Sequence, residues 1–283
     1  VISTLQRGAA ALGRIGELLD TQPTLTAPAD PEAVRAGSGA LRVEGLSIVL
    51  ENEKGQPRKV LDEVSFEVPA GQTLGVVGAT GSGKSILLQV LARQLEVEPG
   101  HVFLDGQDVT RLRPEELRAQ IGYVPQEAFL FSSTIAENIG FGTGDTTPER
   151  IEKAARNAEV HQNIMNFPQQ YKTRVGERGV TLSGGQKQRV SIARAIMKEP
   201  HVLIFDDCLS AVDTETEELI LNNLKKLIKQ RTTLIISHRV SSVKNADQII
   251  VLENGSIIER GTHDELMERR GRYYALYRQQ EAG

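Results

Sequence analysis

Two short glycine-rich stretches could do phosphate chemistry, and they lie about a hundred residues apart. The first is Gly78-Ala79-Thr80-Gly81-Ser82-Gly83-Lys84-Ser85. Its glycines, at 78, 81 and 83, let the backbone aim N–H groups at phosphate oxygens. Lys84 is placed to reach the β- and γ-phosphates of a nucleotide, and the Ser85 hydroxyl to ligate Mg²⁺. The apolar run Thr73–Val77 before the loop reads as a buried strand. Ile86–Leu91 after it reads as a helix whose N-terminal dipole faces the phosphates. The second stretch, Leu182-Ser183-Gly184-Gly185-Gln186, sets a serine and two glycines ahead of another helix. One chain with two such cradles suggests that two chains sandwich a nucleotide between them.

Carboxylates and a histidine stand at further strand ends. Val202–Phe205 is apolar and ends in Asp206-Asp207. It reads as a central parallel strand, and open α/β sheets place ligands at the carboxyl ends of such strands. Asp206 would hold Mg²⁺ and Asp207 sits where a water-activating carboxylate belongs. A third strand, Thr232–Ile236, ends in Ser237-His238. A histidine there favours contact with the γ-phosphate over a purely structural role.

Over residues 40–270 these motifs, in this order, resemble the nucleotide-binding domain of an ATP-binding cassette (ABC) transporter. Gly78–Ser85 is similar to the Walker A motif, Val202–Asp206 to Walker B and Leu182–Gln186 to the family signature. The resemblance implies a P-loop NTPase, RecA-like α/β fold. Its core is a mostly parallel sheet, joined by an antiparallel β subdomain and a helical signature subdomain over about 127–185. It implies ATP and Mg²⁺ as ligands. Gly78, Thr80, Gly81, Ser82, Gly83, Lys84 and Ser85 would bind the nucleotide, and Ser85, Gln126 and Asp206 the metal. Gln126 resembles the Q-loop glutamine that contacts the metal and the attacking water. Asp207, Gln126 and His238 would be catalytic, and Asp213 would belong to the D-loop. Leu182, Ser183, Gly184, Gly185 and Gln186 would face ATP held by a partner. Val175–Gly179 and Gln126–Ile139 look like the exporter branch, with Phe129 and Phe131 as expected partner contacts. The implied partners are a second nucleotide-binding domain and transmembrane domains, at the cytoplasmic face of the cell membrane. An importer subunit is the nearest rival, although it normally lacks the Gly176–Gly179 loop. A chromosome-organising ATPase would need a coiled-coil insertion that the interval Lys84 to Leu182 cannot hold.

Two departures from the family pattern matter. A glutamate usually follows the Walker B aspartate, and here the residue is Asp207. Its carboxylate is one methylene short, and a misplacement of roughly 1 Å can cost about 10²-fold in rate. Upstream of Walker A the family places an aromatic residue against adenine, and here that position is Leu50. No Phe, Tyr or Trp precedes Phe66. Leu50 and the Arg58 guanidinium are the expected substitutes. Together these departures imply a slow, degenerate ATP site beside an intact signature, as in one half of a heterodimeric exporter. The alternative is a homodimer with two active sites.

The rest of the chain agrees with this reading. It has 283 residues, net charge −4 and one cysteine, Cys208. The acidic balance argues against nucleic-acid binding. A lone cysteine excludes an internal disulfide. No apolar run is long enough to span a membrane. Ile2, Leu5, Ala9, Leu12, Ile15 and Leu19 recur at helical spacing, so 1–20 is expected to be a helix descending from a transmembrane segment. Residues 21–40 read as a linker, and 41–283 as the nucleotide-binding domain. Leu41–Leu46 and Val64–Val68 alternate as half-buried antiparallel strands. Asn254-Gly255 between two apolar runs predicts a hairpin. Thr262 is the expected N-cap of a closing helix, and Arg269–Arg278 reads as a solvated helix.

Overall fold

A computed structural model describes residues 8, 11–16, 19–20, 25–35, 37–51, 55–176, 181–208, 216–217, 219–221 and 231–281. The early strands are β1 (Leu41–Glu51), β2 (Pro57–Val68), β3 (Thr73–Val77), β4 (Val102–Leu104) and β5 (Gln107–Asp108). The later ones are β6 (Ile121–Val124), β7 (Val202–Asp206), β8 (Thr232–Ile236), β9 (Gln248–Glu253) and β10 (Ser256–Gly261). They form two sheets, ordered β2-β1-β4-β5 and β10-β9-β3-β8-β7-β6. The smaller sheet is antiparallel. In the larger one, β9, β3, β8, β7 and β6 run parallel, and β10 turns back along β9. The mixed α/β architecture is the one expected, with β4, β5 and β6 as strands the sequence pattern did not disclose.

The parallel strands are nearly all apolar because both faces of their sheet are covered. All five residues of β7 are buried. Val202 and Ile204 join a core with Leu87, Leu88 and Leu91 of helix α1 (Lys84–Leu91). The alternate residues Leu203 and Phe205 join a second core on the other face. Burying each such side chain contributes roughly 1.5–3 kcal/mol, so the pleat fixes which side of the strand faces which helix.

Short helices follow: α2 (Pro114–Ala119), α3 (Ile135–Gly140), α4 (Pro148–Asn157) and α5 (His161–Met165). With α6 (Gly184–Met197), the last three build the helical subdomain. Thr134 caps α3 and Ser183 caps α6, each in a reciprocal capping box. The chain closes with α7 (Val240–Val243), α8 (His263–Arg269) and α9 (Arg272–Glu281). Thr262 does cap α8, as its sequence position suggested.

Two expectations need amending. The segment read as a solvated helix is anchored, because Tyr273 is 0% exposed and its phenol meets His263 Nδ1 at 2.8 Å. Part of the stretch read as linker packs on the small sheet. The Asp105 carboxylate accepts from the N–H groups of Ser38, Gly39 and Ala40, and Gln107 accepts from Arg35 N–H. Before it, the described residues of 8–20 are helical, and Leu12, Ile15 and Leu19 are exposed. Ile2, Leu5 and Ala9 lie outside the described residues. No helix among the described residues is long and apolar enough to cross a membrane.

The β9–β10 hairpin does more than reverse the chain. Its turn, Asn254-Gly255, has both residues at positive φ, as a type I′ turn requires. Gly255 N–H donates to Ser82 O at 3.0 Å, and Gly255 O accepts from Asp62 N–H at 2.9 Å. The turn thus props the glycine-rich loop against β2. A Cβ at Gly255 would lie 2.7 Å from Val60 O. Gly255→Ala should therefore lower stability by more than ~1 kcal/mol and weaken nucleotide binding. Chemical denaturation and ATP titration of the variant check both effects.

Candidate nucleotide site

The phosphate loop lies between β3 and α1, as its flanking residues require. Gly83 sits at φ 105 as the residue before α1. A Cβ there would lie 2.7 Å from Val60 O, and one at Gly78 would lie 2.2 Å from Leu252 O. Glycine is thus demanded by close packing against β2 and β9. Thr80, Gly81 and Ser85 are exposed at the loop's mouth, while Ser82 and Lys84 are buried. The Lys84 ammonium turns back onto the loop, donating to Gly78 O and Ala79 O, each at 2.8 Å. Burial pulls its pKa below the ordinary lysine value, and the nearby Asp207 and Asp206 carboxylates oppose that shift. Among the described residues its hydrogen-bond partners are all neutral oxygens. A phosphate oxygen would be a stronger partner.

The acidic pair emerges at the end of β7, beside β8. Asp206 accepts from the Tyr123 phenol of β6 at 2.9 Å. Burial holds its carboxyl above the usual aspartate range, and the charge of Asp207 adds to the effect. Tyr123, Lys84 and His238 act against it. Ser85, Gln126 and Asp206 together offer a hydroxyl, an amide oxygen and a carboxylate. An all-oxygen set suits Mg²⁺, and a cation would relieve the raised charge cost at Asp206.

Asp207 is held differently. Its backbone lies at φ 42, a conformation that aspartate tolerates better than most non-glycine residues. Its N–H donates to Ile236 O at 2.8 Å. The carboxylate accepts from His238 N–H at 3.1 Å and, at longer range, from Ser237 Oγ at 3.3 Å and Gln126 Nε2 at 3.4 Å. The same carboxylate therefore touches two other motif residues, Gln126 and His238. The His238 ring itself is on an exposed residue.

Leu50 and Arg58 are directly paired across the β1–β2 ladder. This puts the two expected adenine-side residues in contact range of each other, with Leu50 half-buried and Arg58 exposed. At the signature, Leu182 is buried in the helical core, whereas Ser183 and Gly184 are exposed. Ser183 Oγ accepts from Gln186 N–H at 3.2 Å, and Gln186 Oε1 accepts from Ser183 N–H at 3.0 Å. Gly184 and Gly185 open a fourteen-residue helix whose N-terminus faces outward. Asp213 lies outside the described residues, as do Glu177, Arg178 and Gly179.

Several contributors escaped the sequence reading. Gln188, two residues past the signature, donates to Pro125 O at 2.9 Å and so ties α6 to the Gln126 segment. Arg194 donates to Asn138 O at 2.7 Å and to Phe129 O at 3.0 Å. Around it lie three rings. Phe129 and Phe131 meet edge to face at 5.1 Å, and Phe131 and Phe141 stand 4.3 Å apart. They are 64%, 37% and 53% exposed, so they pack on one another at the surface rather than in the core. Three of the seven phenylalanines within thirteen residues is the signal that would have added Phe141. Beside them is a cavity of about 360 Å³, lined by Phe129, Leu130, Val175, Gly176 and Leu182 among others.

Comparison with known proteins gives a consistent result. The ABC transporter family pattern matches residues 61–210. The chain is 44% identical, over 97% of its length, to the putative multidrug export ATP-binding/permease protein YgaD of Bacillus subtilis. It is 45% identical, over 98% of its length, to the ATP-dependent lipid A-core flippase of Nitrosococcus oceani. It covers 47% and 46% of those proteins, so it spans about half their length. The structure of a bacterial Atm1-family ABC exporter with ATP bound superposes on all of this chain, with TM-score 0.90 and 35% identity. The chain covers 49% of that exporter.

Base–aromatic stacking contributes roughly 1–3 kcal/mol. Leu50→Tyr should therefore tighten ATP binding about fivefold or more. Calorimetric titration with Mg-ATP measures it, and unchanged affinity would show that adenine does not lie against Leu50.

Proposed function

Because the chain belongs to the ABC transporter family and carries its ATPase domain, we propose that it is the motor unit of an exporter. It works at the cytoplasmic face of a membrane, on transmembrane segments and a second nucleotide-binding unit. The observation that carries this reading is the buried Lys84 ammonium at the head of α1, close to the Asp206 and Asp207 carboxylates. Cation, helix N-terminus and carboxylates converge on one spot at the strand ends. That set binds a phosphate chain and a divalent metal together.

In this reading the loop N–H groups and Lys84 hold the β- and γ-phosphates. Ser85, Gln126 and Asp206 would hold Mg²⁺, which when bound would neutralise charge on the phosphates. His238 reaches the γ-phosphate. Ser183 and Gly185 complete a site on the partner rather than on this chain, since Ser183 is exposed and Gly185 half-buried at the start of α6. Closure of the two units around ATP moves the transmembrane helices. Phe129, Phe131 and Phe141 form the surface that receives them.

Hydrolysis at this chain's own site is slow. The Asp207 carboxylate is one methylene short of the family's usual glutamate, and it already accepts from His238 N–H and Ser237 Oγ. It tethers the switch segment instead of polarising a water. Bound ATP then acts largely as a clamp. The partner is a different chain with a glutamate at that position, and the intact Ser183–Gln186 signature serves the partner's faster site.

Turnover, sedimentation and Mg-ATP binding test this. Slow but measurable turnover by the wild type should fall about 10²-fold or more in Lys84→Ala. Sedimentation with Mg-ATP should find the chain alone monomeric. No Mg-ATP binding by the wild type would overturn the motor reading. A stable ATP-dependent self-dimer with brisk turnover would overturn the heterodimer and favour two active sites.

A further inference from the structure

The segment that carries His238 is held from two sides. On one side Asp207 accepts from His238 N–H at 3.1 Å. On the other, the Gln280 side chain of α9 donates through Nε2 to His238 O and accepts at Oε1 from Val240 N–H at 2.8 Å. Between these contacts, Arg239 N–H donates to Ser237 Oγ at 2.9 Å. Val240 opens α7, and its N–H has no partner within the helix. Arg239, the N-cap residue, offers no side-chain cap. Gln280 supplies that cap from forty-two residues beyond His238.

We propose that Gln280 is a positioning residue for His238: its amide clamps the carbonyl of His238 and the N–H of Val240, and so fixes where the imidazole can point. The chemistry suits an amide. One side chain must donate to a carbonyl and accept from an N–H two residues on; the glutamine amide does so with separate atoms, whereas a carboxylate only accepts and an ammonium only donates. Asparagine is a methylene shorter.

The clamp has a rigid base. Arg272 and Tyr273 N–H groups, at the start of α9, donate to the Glu259 carboxylate of β10. Tyr273 is buried, with its hydroxyl on His263. The first turn of α9 is therefore fixed to β10 and α8, while its last turn reaches the His238 segment. That segment has a second support from below, where Ser242 Oγ bonds both Ser237 Oγ and the Glu217 carboxylate. Glu217 also pairs with Arg239 at 3.6 Å. Gln280 is exposed, so its truncation removes the clamp without opening the core.

This inference rests on the reading of His238 as the γ-phosphate contact, and the test separates the two. Hydrogen–deuterium exchange of the peptide spanning 237–243 would be followed in wild type, Gln280→Ala and Gln280→Glu, with ATP affinity and turnover measured on the same samples. Gln280→Ala should lose protection in that peptide. Its turnover should fall about tenfold as the competent position becomes a minority state, with ATP affinity unchanged. Gln280→Glu should keep the Val240 amide protected, through its remaining acceptor, yet lose turnover because it cannot donate to His238 O. Simple helix docking would not produce that split. Wild-type protection in Gln280→Ala would overturn the proposal. So would lost protection with undiminished turnover in an active enzyme. If the wild type is inert, the catalytic reading of His238 fails, and the exchange result alone decides the clamp.

Discussion

The parallel pairing of β3, β8 and β7 is the constraint on which the site depends. Ile236 stands level with Val76 on one side and Asp206 on the other. The residues after those positions therefore leave the sheet together. From β3 comes the loop that starts at Gly78, from β7 comes Asp207, and from β8 come Ser237 and His238. A slip of one residue would turn every core side chain to the wrong face. The alternation of β7 between two helix-covered cores makes such a slip costly. Chemistry is thus located by hydrophobic burial before any polar contact forms.

Polar contacts then join this strand-end cluster to the surfaces that would meet partners. Gln126 reaches Asp207, and Gln188 of α6 reaches the carbonyl beside Gln126. Arg194, further along α6, holds the backbone at Phe129 and Asn138. One helix thereby runs from the exposed signature serine to the aromatic patch, with contacts to the metal-side loop on the way. A shift in how α6 lies against the sheet would be felt at all three places. In the proposed exporter, such a shift would couple nucleotide occupancy to the position of the transmembrane helices.

Much of this was legible in the sequence because the informative residues are local. Gly78–Ser85 carries its own strand, turn and helix, and Thr262 and Asn254-Gly255 are short-range signals that the structure meets directly. What was not legible depends on residues far apart in sequence. Tyr123 of β6 reaches Asp206 of the neighbouring β7, and the three-residue β4 and two-residue β5 are too short to show a period. Arg269–Arg278 looked solvated because charge dominates it, while the buried Tyr273 takes its partner from α8. The role of Asp207 stands between these cases. Its identity is plain in the sequence, but its hold on the His238 amide appears only once β7 and β8 are paired.

In the proposed function, the short Asp207 carboxylate holds the switch segment and leaves the water-activating position unfilled. The most direct test is ATP turnover at saturating Mg-ATP by the wild type and by Asp207→Glu. Turnover by the wild type is expected to be slow but measurable, and that by the variant at least about tenfold faster, since general-base help contributes roughly 10²–10⁴ in rate. A wild type that turns over briskly, with a glutamate variant no faster, would contradict it.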